Sequence, residues 1–145
     1  MLTNFLKGNV LFTNRADSWE EAIRLSAMPL LRSGCIEPRY IEAMIESVNI
    51  NGSYVVILPE VAMPHARHEQ GAIKTGLTFL QLKEPVLFPG GKPVKLLMAL
   101  SAEDNESHLD MLGQLGMALV DDEVVQRLKD ASTESEVIKI MNATR

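Results

Sequence analysis

The chain has 145 residues, 46% hydrophobic, 23% charged and 5% aromatic, with a formal net charge of -5 at pH 7. This composition is typical of a globular domain, and the acidic balance excludes a broad basic surface for nucleic acid or anionic membranes. Cys35 is the single cysteine, so no internal disulfide and no C-x-x-C pair can form. Residues 1–12 do not form a signal peptide, and no apolar run is long enough to span a bilayer. We therefore expect a cytoplasmic protein with one domain over residues 1–145.

The first predicted elements are a short strand and a helix. Residues 10–12 form an apolar run typical of a strand, and apolar side chains then recur at helical spacing over 19–31. Ser18 with Glu21 three residues later forms the capping box expected at a helix start. Gly34 is expected to end this helix.

A second helix and a group of strands follow. Pro38 suits the first turn of a helix, and Asn51-Gly52 marks its end. The stretch 88–93, rich in proline and glycine, is predicted to be a turn that continues neither neighbouring strand. Short apolar runs bounded by glycine, proline or charged residues predict strands at 54–58, 77–82 and 94–100.

The last third of the chain returns to helical periodicity. Apolar side chains over 109–119 share one face, and Val125 with Leu128 indicates another short helix. Thr133 and Glu136 are expected to cap a final helix. Helices, then strands, then helices predict an α/β fold in which helices cover both faces of the sheet.

The chemistry of the chain is concentrated at 59–71, where Pro64 limits Met63 to an extended backbone. His65 follows directly, so the main chain as well as the rotamer restricts its ring. Neutral imidazole is nucleophilic near neutral pH, forms covalent intermediates and leaves readily. We therefore single out His65 as a candidate nucleophile.

Further donors surround this position in the sequence. Arg67 and His68 could bind the equatorial oxygens of a phosphoryl group, which require cationic or N–H donors. His108 lies just inside a helix predicted to begin after Asn105-Glu106-Ser107. The start of a helix offers free backbone N–H groups and a positive dipole end, which suit an anion.

Other interpretations of these residues stay open at this point. A loop histidine is most often solvated, and His108 could be an ordinary surface residue. A metal site built from His65, His68 and Glu69 is conceivable, although the three fall in no recognised ligand spacing. On the residues alone, 59–71 is a histidine-based active loop or a polar surface loop.

Three features of the sequence together carry a family resemblance. They are Val-Ala-Met-Pro-His at 61–65, Gly71, and Asn-Glu-Ser-His-Leu at 105–109 followed by further leucines. They resemble the IIA domains of the mannitol–fructose family in the bacterial sugar phosphotransferase system, over nearly the whole chain. The resemblance implies a mixed sheet sandwiched by helices, phosphorylation on His65 and a supporting role for His108.

The same resemblance implies partners. Phosphorylated HPr would donate the phosphoryl group to His65, and a IIB component would accept it and pass it on for sugar uptake. No cofactor, metal or nucleotide is implied, and a membrane permease would be reached only through these partners. A regulatory module of the same fold, signalling its phosphorylation state to a regulator, is the alternative; a metal-dependent hydrolase is a more distant one.

The finer resemblance is to the L-ascorbate-type IIA proteins, over 51–59 and 62–67. Mannitol-type members carry an arginine at the end of the second helix that helps to bind the phosphoryl group. Here 45–48 reads Ile-Glu-Ser-Val, and Arg67 could supply the missing charge from another position. Ala66 stands where glycine is common in the family. The resemblance thus favours an L-ascorbate-type sugar over mannitol.

Overall fold

The computed structural model describes residues 2–143 and places the helices and strands as follows. The helices of this range are α1 (Leu2–Leu6), α2 (Trp19–Arg32), α3 (Pro38–Asn51), α4 (Asn105–Leu119), α5 (Asp122–Asp130) and α6 (Glu134–Asn142). The strands are β1 (Val10–Thr13), β2 (Val56–Leu58), β3 (Glu60–Ala62), β4 (Gly76–Leu77), β5 (Phe79–Phe88), β6 (Lys92–Leu97) and β7 (Leu100–Ser101).

The main sheet has five strands in the order β1-β5-β6-β3-β2. Strand β1 pairs with β5, and β3 with β6, in parallel, whereas the pairs β5–β6 and β2–β3 are antiparallel. A separate antiparallel ladder joins β4 to β7. The sheet is therefore mixed, as the resemblance implied.

Helices cover both faces of this sheet, which confirms the predicted layers. Leu80 and Leu82 of β5 and Leu97 of β6 pack into one buried cluster with α2 and α3. Phe79 and Leu96, on the opposite face, pack into a second cluster with α1, α4, α5 and α6. Alternate side chains of a strand point to opposite faces, so one central strand contributes to both cores.

The predicted helix ends are also confirmed. The Ser18 hydroxyl accepts a hydrogen bond from the Glu21 N–H at 3.1 Å at the start of α2. Gly52 ends α3 with φ of 78°, a left-handed conformation that glycine adopts without steric cost. Thr133 caps α6 by accepting from the Glu136 N–H at 3.1 Å.

Several predicted boundaries were wrong. Strand β2 begins at Val56 and not at 54, and β5 continues through Phe88, inside the stretch predicted to be a turn. Strand β6 begins at Lys92 and includes Pro93, which pairs with Leu87 of β5. Proline is tolerated there because the partner on the other side, β3, pairs with β6 only from Val94 onward.

Two elements were missed by the sequence analysis. Helix α1 spans only five residues, too few to establish a helical period. Strand β3 lies in a segment interpreted as loop, and it forms because Val61 and Ala62 are buried between β6 and β2. Short strands of this kind depend on their neighbours more than on intrinsic propensity.

Candidate active site

His65 follows the end of β3 and is presented by a firmly held main chain. The Met63 N–H donates to the Val55 carbonyl at 2.8 Å, and the Pro64 carbonyl accepts from the Leu100 N–H at 3.0 Å. Met63 and Pro64 are both buried, whereas His65 is partly exposed. The two residues before His65 are thus held by hydrogen bonds to two separate parts of the chain, independently of any contact of the imidazole itself.

One hydrogen bond determines which nitrogen of His65 is available. Its Nδ1 lies 2.7 Å from the Met63 carbonyl oxygen. A carbonyl can only accept, so Nδ1 carries the proton in this contact and Nε2 retains its lone pair. The neutral ring is therefore held as a nucleophile that acts through Nε2.

His108 comes from a different element and lies beside His65. The two ring centroids are 5.2 Å apart with an interplanar angle of 53°. Helix α4 begins at Asn105, earlier than predicted, with Asp104 as its N-cap. The His108 N–H donates to the Asp104 carbonyl at 3.1 Å, and the Ser107 N–H to its carboxylate at 2.7 Å. The backbone N–H of His108 is therefore paired within the helix, and the contribution of this residue to the site must come from its ring.

The environment of His108 favours a neutral imidazole. Burial lowers the pKa of His108, and the nearby His65 and His68 lower it further, because a second positive charge among three histidines is unfavourable. A neutral imidazole still carries one N–H and can donate one hydrogen bond. His108 is thus suited to donate to an anion held at His65.

Arg67 and His68 line the same site as His65. The Arg67 N–H donates to the Gln70 side-chain oxygen at 3.1 Å, which closes the 3₁₀ turn His68–Gln70. The Arg67 side chain is 80% exposed, and its Nε is 4.0 Å from Glu69. His68 Nε2 lies 3.5 Å from the same carboxylate. The role of both side chains as phosphate ligands stays a prediction.

A cleft of 1030 Å³ brings the four predicted residues together. His65, Arg67, His68 and His108 line it together with residues of α3. A phosphoryl group would fill only a small part of this volume. The cleft therefore has room for a segment of a partner protein to approach Nε2 of His65.

Tyr40 is a buried support that the sequence analysis missed. Its hydroxyl accepts from the Ala66 N–H at 3.0 Å and lies 2.9 Å from the Leu100 carbonyl, to which it donates. Burial raises the pKa of Tyr40 to about 12, so the proton stays on the oxygen. The sequence did contain one indication of this role, since Tyr40 adjoins the apolar face of the second predicted helix. A tyrosine buried there requires a hydrogen-bond partner for its hydroxyl.

Tyr54 was assigned to a strand and instead lies in the loop between α3 and β2. Its ring contacts His65 edge-on, with centroids 5.8 Å apart and an interplanar angle of 85°. Its hydroxyl is 2.7 Å from the Ser47 hydroxyl of α3. No sequence motif indicated this contact, because it depends on where α3 ends relative to β3.

Two further findings concern metals and membranes. Over residues 2–143, no group of three or more His, Cys, Asp or Glu side chains is placed so that it could hold a metal ion. His65, His68 and Glu69 therefore do not form the ligand set considered from the sequence. Within the same range, no helix is long and apolar enough to cross a membrane.

A mixed sheet between two helical layers, with the rings of His65 and His108 together in an open cleft, is the architecture that the resemblance to IIA phosphotransfer domains implied. The family model described as "Phosphoenolpyruvate-dependent sugar phosphotransferase system, EIIA 2" matches residues 4–144. The chain belongs to this family, and as a IIA component it is a phosphotransferase.

Two curated relatives and two solved structures are similar to the chain. It is 39% identical to the mannitol-specific cryptic phosphotransferase enzyme IIA component of Escherichia coli K12, over 95% of each chain. The solution structure of the Escherichia coli cryptic enzyme matches with a TM-score of 0.91 and 38% identity, over 98% of each chain. The ascorbate-specific EIIA component of E. coli K12 is 35% identical, over 89% of this chain and 86% of the relative. The E. coli mannitol enzyme IIA in complex with phosphorylated enzyme IIB matches with a TM-score of 0.81 and 28% identity, over 93% and 94% of the chains.

Proposed function

We propose that this chain, acting as one cytoplasmic domain over residues 1–145, accepts a phosphoryl group from phospho-HPr on Nε2 of His65 and passes it to a IIB component. The observation that carries the proposal is the 2.7 Å hydrogen bond from Nδ1 to the Met63 carbonyl, which leaves Nε2 unprotonated at an open cleft. The relative solved in complex with phosphorylated enzyme IIB supports the same partner class.

The transfer needs no proton movement at the attacking nitrogen. The Nε2 lone pair attacks phosphorus, the N–P bond of the donor phosphohistidine breaks, and its electron pair returns to the donor ring. In the second step the N–P bond of His65 breaks as a nucleophile of the IIB component attacks, expected to be a cysteine thiolate. The Nδ1–H bond to Met63 is retained throughout, so the ring leaves as the same neutral tautomer.

The surrounding donors would act on the charge that develops during transfer. Three equatorial oxygens carry the negative charge of the transferring group, and positioned donors stabilise it. The His108 ring lies 5.2 Å from the His65 ring, centroid to centroid, and Arg67 and His68 line the same cleft. We assign His108 to stabilisation of the phosphoryl group, and Arg67 and His68 to its binding.

The transported sugar is the finer part of the proposal. The chain is 35% identical to an ascorbate-specific component and 39% identical to a component named for mannitol, so identity alone does not select the substrate. The sequence Ile-Glu-Ser-Val at 45–48, without an arginine, argues against a mannitol system, and the resemblance over 51–59 and 62–67 favours an L-ascorbate-type system. Association with a membrane permease would then occur through the IIB partner.

The phosphoacceptor is tested by labelling the purified chain from phospho-HPr. Wild type, His68→Ala and His108→Ala should acquire an acid-labile label, whereas His65→Ala should acquire none and retain its circular dichroism spectrum. Label that persists on His65→Ala would falsify the assignment.

The acceptor is tested by offering the labelled chain two IIB proteins, one from an ascorbate-type and one from a mannitol-type system. We expect faster transfer to the ascorbate-type protein. A preference for the mannitol-type protein would overturn the substrate class but not the phosphotransfer. Labelling by phospho-HPr without transfer to either protein would instead favour the regulatory alternative.

A further inference from the structure

The loop between α3 and β2 supports the active histidine at two separate levels. The Val55 carbonyl accepts from the Met63 N–H at 2.8 Å and thereby holds the main chain two residues before His65. The preceding residue, Tyr54, places its ring 5.8 Å from the His65 ring at 85°. Two adjacent residues thus restrain first the backbone and then the side chain of the phosphoacceptor.

Tyr54 can restrain the His65 ring only if its own side chain is held in place. Its side chain is 44% exposed, so packing alone does not fix its rotamer. The Ser47 hydroxyl, one α3 turn before the helix ends, lies 2.7 Å from the Tyr54 hydroxyl. This hydrogen bond attaches the partly exposed Tyr54 side chain to helix α3.

The loop itself is also tied to the sheet. The Ser53 hydroxyl donates to the Pro89 carbonyl at 2.7 Å, in the turn between β5 and β6. Gly52, with φ of 78°, directs the chain out of α3 toward this contact. The position of Tyr54 is therefore defined by the helix on one side and by the sheet on the other.

We infer that Tyr54 is a positioning residue for His65, and that the Ser47–Tyr54 hydroxyl pair holds the His65 ring in the orientation in which Nδ1–H meets the Met63 carbonyl. Without the tyrosine ring, the imidazole has more freedom to rotate about its Cβ–Cγ bond. Rotation breaks the hydrogen bond of Nδ1–H to the Met63 carbonyl, and proton exchange with water then allows the other tautomer, with the proton on Nε2. The inference rests on the proposed function for its effect on transfer, but not for its effect on the tautomer.

Four variants separate the ring from the hydroxyl pair. Tyr54→Phe keeps the ring and loses its anchor, Ser47→Ala removes the other half of the pair, and Ser47→Thr restores a hydroxyl. Tyr54→Ala removes the ring as well. Ile57→Ala is the matched control, because Ile57 is a nearby large side chain with a similar exposure of 43% that does not line the cleft.

The first readout is the tautomer of His65, measured by long-range ¹H–¹⁵N correlation under alkaline conditions in which histidines are neutral. Wild type should show a proton on Nδ1. The Nδ1–H to Nε2–H ratio should fall about 5-fold in Tyr54→Phe and Ser47→Ala, from the loss of one hydrogen bond. The ratio should fall about 30-fold in Tyr54→Ala, which also loses the ring contact.

The second readout is the single-turnover rate of phosphorylation from phospho-HPr. The rates should fall in parallel with the tautomer ratio, and Ser47→Thr and Ile57→Ala should stay within about 2-fold of wild type. The double variant Ser47→Ala/Tyr54→Phe should lose no more than either single variant, because both remove the same bond.

Unchanged tautomer ratios in Tyr54→Phe, Ser47→Ala and Tyr54→Ala would overturn the inference. So would a Ser47→Thr variant as impaired as Ser47→Ala. If wild type accepts no phosphoryl group, the proposed function fails while the tautomer measurement still decides the role of Tyr54. If Tyr54→Ala does not fold, Tyr54→Phe and Ser47→Ala provide the same test, since each removes only a hydroxyl.

Discussion

The imidazole rings of His65 and His108 lie 5.2 Å apart, centroid to centroid, although one follows strand β3 and the other lies in the first turns of helix α4. Their hydrogen-bonding states differ. His65 commits Nδ1–H to the Met63 carbonyl, whereas burial and the neighbouring histidines lower the pKa of His108. The pair thus combines a nucleophile, His65, with a nearby hydrogen-bond donor, His108.

His108→Ala should still accept a phosphoryl group on His65 but should pass it to the IIB partner more slowly. Removing one preorganised donor to a developing charge costs on the order of 10²-fold in rate, or roughly 3 kcal/mol. Rapid-quench measurements with both partners present provide the rate. His108→Gln keeps an N–H donor and should recover part of it, whereas a wild-type rate in His108→Ala would make His108 a bystander.

The pKa of His108 should be below that of an ordinary histidine in the free protein and should rise when His65 is phosphorylated. Burial and the nearby imidazoles of His65 and His68 oppose protonation of His108 in the free protein. A phosphoryl group adds about -1.5 to -2 charges beside the ring and stabilises the imidazolium. Titration of the His108 Cε1–H resonance in both states measures the change, and an unchanged or lower pKa after phosphorylation would contradict it.

The lowered pKa of His108 also has a consequence for stability. The unfolded chain binds a proton at this histidine at a higher pH than the folded chain does. The contribution of His108 to stability therefore falls as the pH is lowered below about 6.5, the ordinary histidine value. Urea unfolding of wild type and His108→Gln at several pH values isolates this term, and we expect a smaller loss on acidification in the variant.

Tyr40→Phe should lower the free energy of unfolding by about 1–3 kcal/mol. The change removes the acceptor of the buried Ala66 N–H and a donor to the Leu100 carbonyl, and unsatisfied buried groups carry this cost. Tyr54→Phe is the matched comparison: the same chemical change at a 44% exposed position removes one exposed hydroxyl pair and should cost less, at most about 1 kcal/mol. Equal losses in the two variants would show that the Tyr40 hydroxyl is not a structural support.

Phosphotransfer should not require a divalent metal. The reason is that residues 2–143 contain no cluster of three or more His, Cys, Asp or Glu side chains that could hold a metal ion. A strong chelator should leave the rate of transfer from phospho-HPr to the chain unchanged. A rate that collapses and is restored by zinc or magnesium would revive the metal site considered at His65, His68 and Glu69.

The sequence by itself determined the features that depend on local chemistry. Ser18, Pro38 and Gly52 set helix ends through hydrogen bonds and backbone geometry within a few residues, and the structure has all three as expected. The apolar periodicity of the longer helices also predicted the two covered faces of the sheet. The Met-Pro-His step identified the candidate nucleophile because proline restricts its neighbours directly.

Only the tertiary structure decided how the site is assembled. Strand β3 and helix α1 were too short to be recognised from their own residues, and the start of α4 moved because Asp104 caps it. The contacts of His65 with His108 and Tyr54, and that of Ala66 with Tyr40, join segments far apart in the chain. Such contacts depend on how layers of helices and strands pack, and a local sequence pattern does not specify that packing.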